Sequence, residues 1–312
     1  MKQPLKADAA LLLCALIWGG SFLMVKNALG HASVFAFLAL RFTLAAAAMG
    51  VISVAALRES DSRILKAGIL LGAIMFAGYA LETAGLQFTT ASKAAFITGS
   101  SVVWVPLIAS IVGWRAGRAP NKWIWAGALV TFVGLYFLAV PPAGLSRLNR
   151  GDLLVGTCAV AFALHILAVG KFAPRHSARA LNTIQAATTA LIAAAAIPFL
   201  ARVQWEAPRV HFTVGLVTAL LFTAVGATAL AFALQMWAQR YTSPSHTALV
   251  FSMQPVFAAI IGWLVAGERL GGREAFGAAL IFSDILLAEF KGPLHEDVEL
   301  VATLGESPKE AE

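Results

Sequence analysis

Residues 88–95, FTTASKAA, return 153 positions later as residues 241–248, YTSPSHTA. The correspondence extends toward the start of each copy, where Asp8 matches Asp152 at an offset of 144. A shift between the two offsets is expected when equivalent loops differ in length. The pattern predicts that the chain contains two copies of one structural unit.

Composition places both copies in a membrane. Of the 312 residues, 59% are hydrophobic and 12% are charged, and the mean hydropathy is +0.79. Soluble domains are about 45–50% apolar, so this chain is too apolar for that class. Ten segments approach the roughly 20 residues that a helix needs to cross the hydrocarbon core of a bilayer. They are residues 7–29, 34–57, 65–86, 91–112, 123–140, 153–169, 181–200, 212–237, 247–266 and 275–287.

Each copy holds five of these segments, and an odd number makes the second copy enter the bilayer in the opposite orientation. The predicted fold is an all-α membrane protein with ten transmembrane helices in two inverted five-helix repeats. The predicted domains are residues 1–144 for the first repeat, 145–290 for the second, and 291–312 for a disordered, acidic cytoplasmic tail. Inverted repeats also place the functional site between the two halves.

Basic residues predict the orientation of the chain. With the N-terminus inside, 14 Lys and Arg residues fall on the inner side and 8 on the outer side, and Arg41 lies within a span. The positive-inside rule then places both termini in the cytoplasm. The net charge of +7 is scattered over short loops, so no nucleic-acid partner is expected.

Motifs of catalytic and cofactor sites are missing from the sequence. It holds no GxxxxGK[ST], HExxH, GxSxG or CxxC pattern. We therefore expect no enzyme activity, no cofactor and no metal. Without a nucleotide site, transport would be driven by an ion gradient, by the membrane potential or by the gradient of the substrate itself.

Two prolines interrupt corresponding spans, Pro106 in the fourth and Pro255 in the ninth. Proline removes a backbone donor and frees a carbonyl, which hydrocarbon tolerates only against protein or a wet cavity. Matched broken helices are a sign of a transporter's substrate site, and either proline alone could be a packing kink. Their pairing favours a helix break that forms or gates the site.

Arg41 and Glu82 are the residues that cost most to place in lipid. Their positions along the second and third spans give them a similar depth, roughly 6 to 9 Å from the midplane, so an ion pair between them is possible in geometry. Two readings stay open. The pair contacts the substrate, with Arg41 on a carboxylate, or it only locks the first bundle of helices.

Further polar and aromatic residues on the spans are candidates for the substrate site. A histidine in a span suits proton coupling, although a neutral histidine bonded to a neighbouring helix is the more frequent outcome. Glutamines would add hydrogen bonds, and large aromatic residues would contact an apolar body or simply pack. These candidates are His165, Gln185, Gln235, Gln254, Trp18, Tyr79 and Trp104.

Four stretches carry a resemblance to a known family. They are ALIWGGSFLMVKNAL at 15–29, LALRF at 38–42, AFALHILAVGKFA at 161–173 and FALQMWAQRYTSPSHTALVFSMQPVFAAIIGWLVAGERL at 232–270. Together with the repeat they resemble the EamA-type members of the drug/metabolite transporter superfamily. The resemblance implies ten helices in two inverted repeats, a central cavity lined by the first four helices of each repeat, and export of small metabolites, often amino acids.

The chain departs from the family pattern at one point. Many relatives carry an acid before the ninth-span proline and an amide in the third span, whereas this chain has Gln254 and Glu82. The family's coupling mechanism is therefore not carried over.

The sequence and the resemblance together predict a secondary exporter of the bacterial cytoplasmic (inner) membrane. It would move small amphipathic metabolites such as amino acids by alternating access, with a proton as a candidate coupling ion. The small residues of the fifth and tenth spans suit close helix packing, within the bundle or in a homodimer. The alternative is a membrane sensor or scaffold that binds a metabolite or lipid without moving it.

Overall fold

The computed structural model describes residues 2–115, 122–140, 149–266 and 271–291. Within these ranges the chain is helical, apart from turns and one isolated backbone bridge between Ala32 and Val210. The first half holds α1 (Lys2–Ala28), α2 (Val34–Ile52), α3 (Val54–Arg58), α4 (Ser62–Leu86), α5 (Ala91–Gly99), α6 (Ser101–Arg115) and α7 (Lys122–Ala139). The second half holds α8 (Arg150–Phe172), α9 (Ala178–Arg202), α10 (Val214–Leu221), the π-helical segment π1 (Phe222–Leu230), α11 (Ala231–Ala238), α12 (Pro244–Phe251), α13 (Gln254–Ala266) and α14 (Gly272–Lys291).

Among the described residues, eight stretches are long and apolar enough to cross a membrane. They are Gln3–Ala28, Val34–Ile52, Ser62–Leu86, Ala91–Ile111, Arg150–Phe172, Ala178–Arg202, Val214–Ala238 and Pro244–Leu264. The predicted all-helical membrane class is confirmed. The predicted fifth span corresponds to α7, with a shorter apolar stretch from Trp125 to Leu138, and the predicted tenth lies inside α14. The predicted tail falls outside the described residues.

Polar side chains begin several helices by capping their first free N–H groups. Asp61 accepts from the backbone N–H groups of Arg63 and Ile64 at the start of α4. Asn149 and Asp152 form a reciprocal capping box at the start of α8. The helix boundaries therefore follow local sequence signals.

The fourth and ninth predicted spans are both broken. The break between α5 and α6 lies at Ser100, whose Oγ donates to the Ile97 carbonyl at 2.6 Å. The break between α12 and α13 begins at Ser252, whose Oγ donates to the Leu249 carbonyl at 2.5 Å. Ser100 and Ser252 are related by nearly the same offset as the motif at 88–95. The two spans thus break at equivalent positions.

The prolines lie differently relative to these breaks. Pro255 is the second residue of α13. A backbone N–H at that position would have no acceptor within the helix, so proline removes no helical hydrogen bond. Pro106 lies inside α6, six positions after Ser100, and Ser110 Oγ donates to its carbonyl at 2.7 Å. Pro255 therefore starts the second half of a broken span, whereas the matching break in the first half is made by residues before Pro106.

The halves pack against each other through close helix contacts. A Cβ on Gly19 would lie 2.6 Å from the carbonyl oxygen of Gln254, so only glycine allows α1 to approach α13 this closely. On the second helix pair, α7 and α14, a Cβ on Gly277 would lie 2.5 Å from the Gly134 carbonyl oxygen, and Thr131 Oγ1 donates to Asp284 at 2.6 Å. The small residues of the fifth and tenth spans are thus used in contacts within the chain.

Candidate substrate site

A cavity lies between helices of both halves. The empty space in it amounts to about 590 Å³, a figure that includes the open solvent at its mouth. Its wall is formed by Trp18, Ser21, Phe22, Tyr79, Glu82, Thr98, Gly99, Ser101, Phe162, His165, Ile166, Phe232, Gln235, Phe251 and Gln254. The wall residues come from α1, α4, α5, α6, α8, α11, α12 and α13.

All fifteen wall residues except Gly99 fall into pairs at the two sequence offsets of the repeat. At an offset of 144 the pairs are Trp18 with Phe162, Ser21 with His165, and Phe22 with Ile166. At an offset of 153 the pairs are Tyr79 with Phe232, Glu82 with Gln235, Thr98 with Phe251, and Ser101 with Gln254. The two halves therefore contribute equivalent positions to the cavity wall, but the side chains at these positions differ in chemistry.

Six of the nine substrate-site candidates from the sequence line this cavity, namely Trp18, Tyr79, Glu82, His165, Gln235 and Gln254. Arg41, Gln185 and Trp104 do not belong to its wall. Trp104 is 36% exposed, so it faces the outside of the helix bundle.

Arg41 lies one layer behind the wall. It is 2% exposed, its guanidinium carbon lies 4.4 Å from the centre of the Tyr79 ring, and its Nε donates to Thr228 Oγ1 at 3.0 Å. Nη2 of Arg41 is buried without a hydrogen-bond partner. The ion pairs found among the described residues do not include Arg41 with Glu82. Arg41 thus supports the ring of Tyr79 by a cation–π contact rather than by pairing with Glu82.

Gln185 has the equivalent place behind His165. Its Oε1 lies 3.0 Å from His165 Nε2, and its own amide Nε2 donates to Asn182 Oδ1 at 3.0 Å. Asn182 in turn donates to the Ala229 carbonyl at 3.0 Å. Since this chain of bonds makes Gln185 Oε1 the acceptor, His165 Nε2 carries the proton and its Nδ1 is left as an acceptor.

The paired side chains Glu82 and Gln235 bring acceptors to the wall. Thr98 Oγ1 donates a long bond of 3.5 Å to Glu82 Oε1. Gln235 Nε2 donates to Gln239 Oε1 at 2.8 Å, and Gln239 Nε2 donates to the Ile166 carbonyl at 2.9 Å. Gln235 Oε1 is buried without a hydrogen-bond partner.

The π-helical segment π1 provides hydrogen-bond acceptors for side chains on and behind the cavity wall. A π-helix shifts its backbone bonds from i−4 to i−5 and occurs often at functional sites. Three neighbouring helices bond to this segment: Trp18 Nε1 donates to the Ala227 carbonyl at 2.7 Å, Asn182 to Ala229, and Arg41 to Thr228. The segment thus fixes one wall residue directly and two residues behind the wall.

Sequence reasoning missed several wall residues, above all Phe162, Phe232 and Phe251. The repeat itself carries the signal that finds Phe162 and Phe232, because they are the counterparts of the candidates Trp18 and Tyr79, whereas the counterpart of Phe251, Thr98, was not a candidate. The π-helical geometry of π1 has no comparable signal in the sequence.

No group of three or more His, Cys, Asp or Glu residues that could hold a metal occurs in the described part of the chain. The two cysteines are free and buried. Cys14 Sγ donates to the Ala231 carbonyl at 3.1 Å, and Cys158 Sγ lies 3.7 Å from Thr98 Oγ1. Both cysteines pack within the bundle.

Comparisons with known proteins agree on one family. A model described as the EamA-like transporter family matches residues 5–140 and 149–289. An uncharacterized transporter of Archaeoglobus fulgidus is 33% identical over 289 residues, which cover 93% of this chain and 87% of that protein. The uncharacterized transporter YoaV of Bacillus subtilis is 22% identical, covering 91% of this chain and 97% of its own length. One solved crystal structure covers 91% of this chain and 96% of its own, with a TM-score of 0.73 and 18% identity, a likeness in fold.

Proposed function

Since the chain belongs to the EamA-like transporter family and is a multi-pass membrane transporter, we propose that it exports small amphipathic metabolites, amino acids among them, by alternating access. The resemblance seen in the sequence is thereby confirmed at the level of the family. The substrate, the direction and the mechanism are the proposal.

The observation that carries the proposal is a cavity whose wall residues come in pairs from the two halves. In a transporter built from two related halves, the substrate site lies at their interface, and rocking of one half against the other exposes it to each side in turn. The cavity wall combines aromatic rings with a few polar groups, which suits an amphipathic ligand.

The proposed architecture adds α7 and α14 to the eight apolar stretches, which gives ten spans in two inverted repeats. Both termini would lie in the cytoplasm of a bacterial cell, and the protein in its inner membrane. A homodimer would use the outer faces of α7 and α14, where Leu129 and Phe282 are exposed.

The site residues take different roles in this proposal. Trp18 and Tyr79 contact the apolar part of the substrate, while Glu82, His165 and Gln254 supply polar contacts. Arg41 and Gln185 hold wall residues in place from behind. A proton is a candidate coupling ion, because Glu82 and His165 are titratable groups on the wall. The breaks near Pro106 and Pro255 would be the places where the broken spans bend.

Efflux from liposomes tests the proposal. Purified protein is reconstituted into vesicles loaded with labelled amino acids and related amphipathic solutes. We expect protein-dependent efflux, reduced about tenfold or more by Gln254→Leu because that amide lines the cavity. Gln87→Leu is the matched control, since Gln87 is exposed and lies off the cavity wall. Saturable binding of a solute with no efflux would instead establish the sensor or scaffold.

A further inference from the structure

The described wall of the cavity holds one acidic side chain and no Lys or Arg. Glu82 is the one Asp, Glu, Lys or Arg among the described wall residues. The guanidinium of Arg41 lies behind the ring of Tyr79, with 4.4 Å between its carbon and the ring centre. Arg41 acts on Glu82 through space. A ligand in the cavity nevertheless meets the acidic group of Glu82 directly, whereas the ring of Tyr79 lies between it and the guanidinium, so a donor-rich cationic group has the closer partner.

Three acceptors on this wall await donors. Gln235 is 1% exposed, and its Oε1 is buried without a partner. His165 Nδ1 is an acceptor because Nε2 donates to Gln185. The carboxylate of Glu82 has only the long bond from Thr98 at 3.5 Å. A buried acceptor without a donor, such as Gln235 Oε1, is costly, and the other two can accept further bonds, so a ligand that brings N–H groups is favoured.

Several donors of the wall are already used inside the protein. Trp18 Nε1 donates to the Ala227 carbonyl at 2.7 Å, and Ser21 Oγ to the Trp18 carbonyl at 2.7 Å. Gln235 Nε2 donates to Gln239 at 2.8 Å. The donors that remain are Tyr79, Ser101 and Gln254, each of which has an acceptor oxygen as well. The wall therefore has more free acceptors than donors to offer a ligand.

Aromatic rings form a continuous cluster beside these acceptors. The ring of Trp18 lies 4.9 Å from Phe251 and 5.2 Å from Phe232, centre to centre. Tyr79 lies 5.2 Å from Phe162 and 6.2 Å from Phe232. Aromatic faces attract ammonium groups and bury an apolar body.

We propose that the cavity selects small organic cations, in which a primary or secondary ammonium is attached to an apolar or aromatic body, over zwitterions and anions of the same body. The inference deepens the proposed function and rests on it, since the same cavity is the transport site. It narrows the substrate class from amphipathic metabolites to amines and ranks amino acids, which are zwitterions, below amines with the same body.

Thermal stabilisation of the purified full chain by four ligands with one common body tests this preference. The ligands are 2-phenylethylamine, 2-phenylethanol, phenylalanine and 3-phenylpropionate. We expect the amine to raise the Tm at a concentration at least about tenfold lower than the alcohol, because an ammonium adds charge and donors. Phenylalanine and 3-phenylpropionate should be weaker than the amine. Equal effects of amine and alcohol, a preference for the anion or the zwitterion, or no effect of any ligand would overturn the inference.

Two variants assign the preference to the wall. Glu82→Gln should reduce the ratio between amine and alcohol to about twofold or less, and Gln235→Met should weaken the amine about tenfold. Glu59→Gln is the control, because it removes the same charge from an exposed position off the wall. Each ratio is measured within one variant, so a lower starting Tm does not affect it. An unchanged ratio in both wall variants would refute the assignment.

The outcomes separate this inference from the proposed function. Selective binding of the amine without efflux in liposomes would uphold the cation site and refute the transport cycle. Efflux of other solutes without selective binding of the amine would uphold transport and refute the cation site.

Discussion

Two ion pairs lie near the two ends of α1 and are built from equivalent positions of the repeat. Lys93 Nζ lies 2.6 Å from Asp152 Oδ2, and His246 Nε2 lies 2.8 Å from Asp8 Oδ1. The offsets of 144 and 153 relate Asp8 to Asp152 and Lys93 to His246. Each pair joins the start of the first helix of one half to the broken span of the other half.

The first pair lies near the C-terminal end of α1. Lys26, in the last turn of α1, donates to the carbonyl of Thr89, and Thr89 Oγ1 donates to Asp152 at 2.8 Å. Asp8 is about 27 Å from Lys26 along the helix axis, at ~1.5 Å per residue. Trp18, on the cavity wall, lies about midway between them. The two pairs thus flank the cavity.

The Asp152 network is complete. Its side chain is 1% exposed and accepts from Lys93, from Thr89 and from the backbone N–H of Asn149 at 2.9 Å. The last bond exists because Asp152 belongs to the capping box at the start of α8.

The Asp8 network is incomplete. Asp8 lies beyond the first turn of α1, so it caps nothing, and its side chain is 17% exposed. The hydroxyl of Thr242, the counterpart of Thr89, is buried and has no hydrogen-bond partner. Nδ1 of His246 is likewise buried without a partner. Equivalent residues therefore give a strong network at one end and a weak one at the other. In a transport cycle, we expect the Asp8 end to separate at the lower cost in free energy.

Neutralising the two carboxylates gives the largest expected difference. Asp152→Asn removes the buried carboxylate that pairs with the partly buried Lys93 ammonium, so we expect a loss of about 3 kcal/mol in the free energy of unfolding. Asp8→Asn should cost about 1 kcal/mol, because the Asp8 side chain is 17% exposed and therefore partly solvated. Thermal unfolding of both variants in one detergent measures the difference.

A double variant controls this comparison. Lys93→Met with Asp152→Asn removes the stranded charge and should recover part of the lost stability. Equal losses for Asp8→Asn and Asp152→Asn would show that the two networks are equally strong.

Replacing the two threonines should give effects of different sign. Thr89→Val removes a donor from Asp152 and should destabilise by about 1–2 kcal/mol. Thr242→Val removes a buried hydroxyl that has no partner, so it should be neutral or stabilise by up to about 1 kcal/mol. Valine and threonine have nearly the same shape, so the Tm reports the hydroxyl. A clear loss in Thr242→Val would mean that its hydroxyl has a partner at the Asp8 end.

Asp61 is a carboxylate outside both networks and serves as the comparison for them. Its replacement should have the smallest effect on the Tm. The backbone N–H of Ile64, and also that of Arg63, lowers the pKa of Asp61 below its ordinary value. A lowered pKa in the folded state adds stability above the ordinary pKa, and this stability is lost as the pH falls through the folded pKa. Asp61→Asn should therefore lower the Tm slightly at neutral pH and not at acid pH. If Asp61→Asn lowered the Tm as much as Asp8→Asn, then Asp8 would contribute no more than an exposed carboxylate outside the two networks.

The sequence predicted the helical membrane class well because span length and hydrophobicity are local properties. The structure departs from the predicted spans at two places. Residues 34–57 form α2 and α3 rather than one helix, and π1 interrupts the regular geometry of 212–237. The offsets of the repeat also identify wall residues that a search for polar residues misses, such as Phe162 and Phe232.

The sequence by itself determined that this chain is a helical membrane protein and indicated two related halves, because apolar length and internal repetition are written in residue order. Only the tertiary structure decided which polar groups face the cavity. The sequence predicts a similar depth for Arg41 and Glu82, yet Arg41 lies behind Tyr79 while Glu82 is on the wall. Thr89 and Thr242 share a repeat position, yet one is bonded and the other is not. Depth follows from position along a helix, whereas the direction and the partner of a side chain depend on the rotation and packing of neighbouring helices.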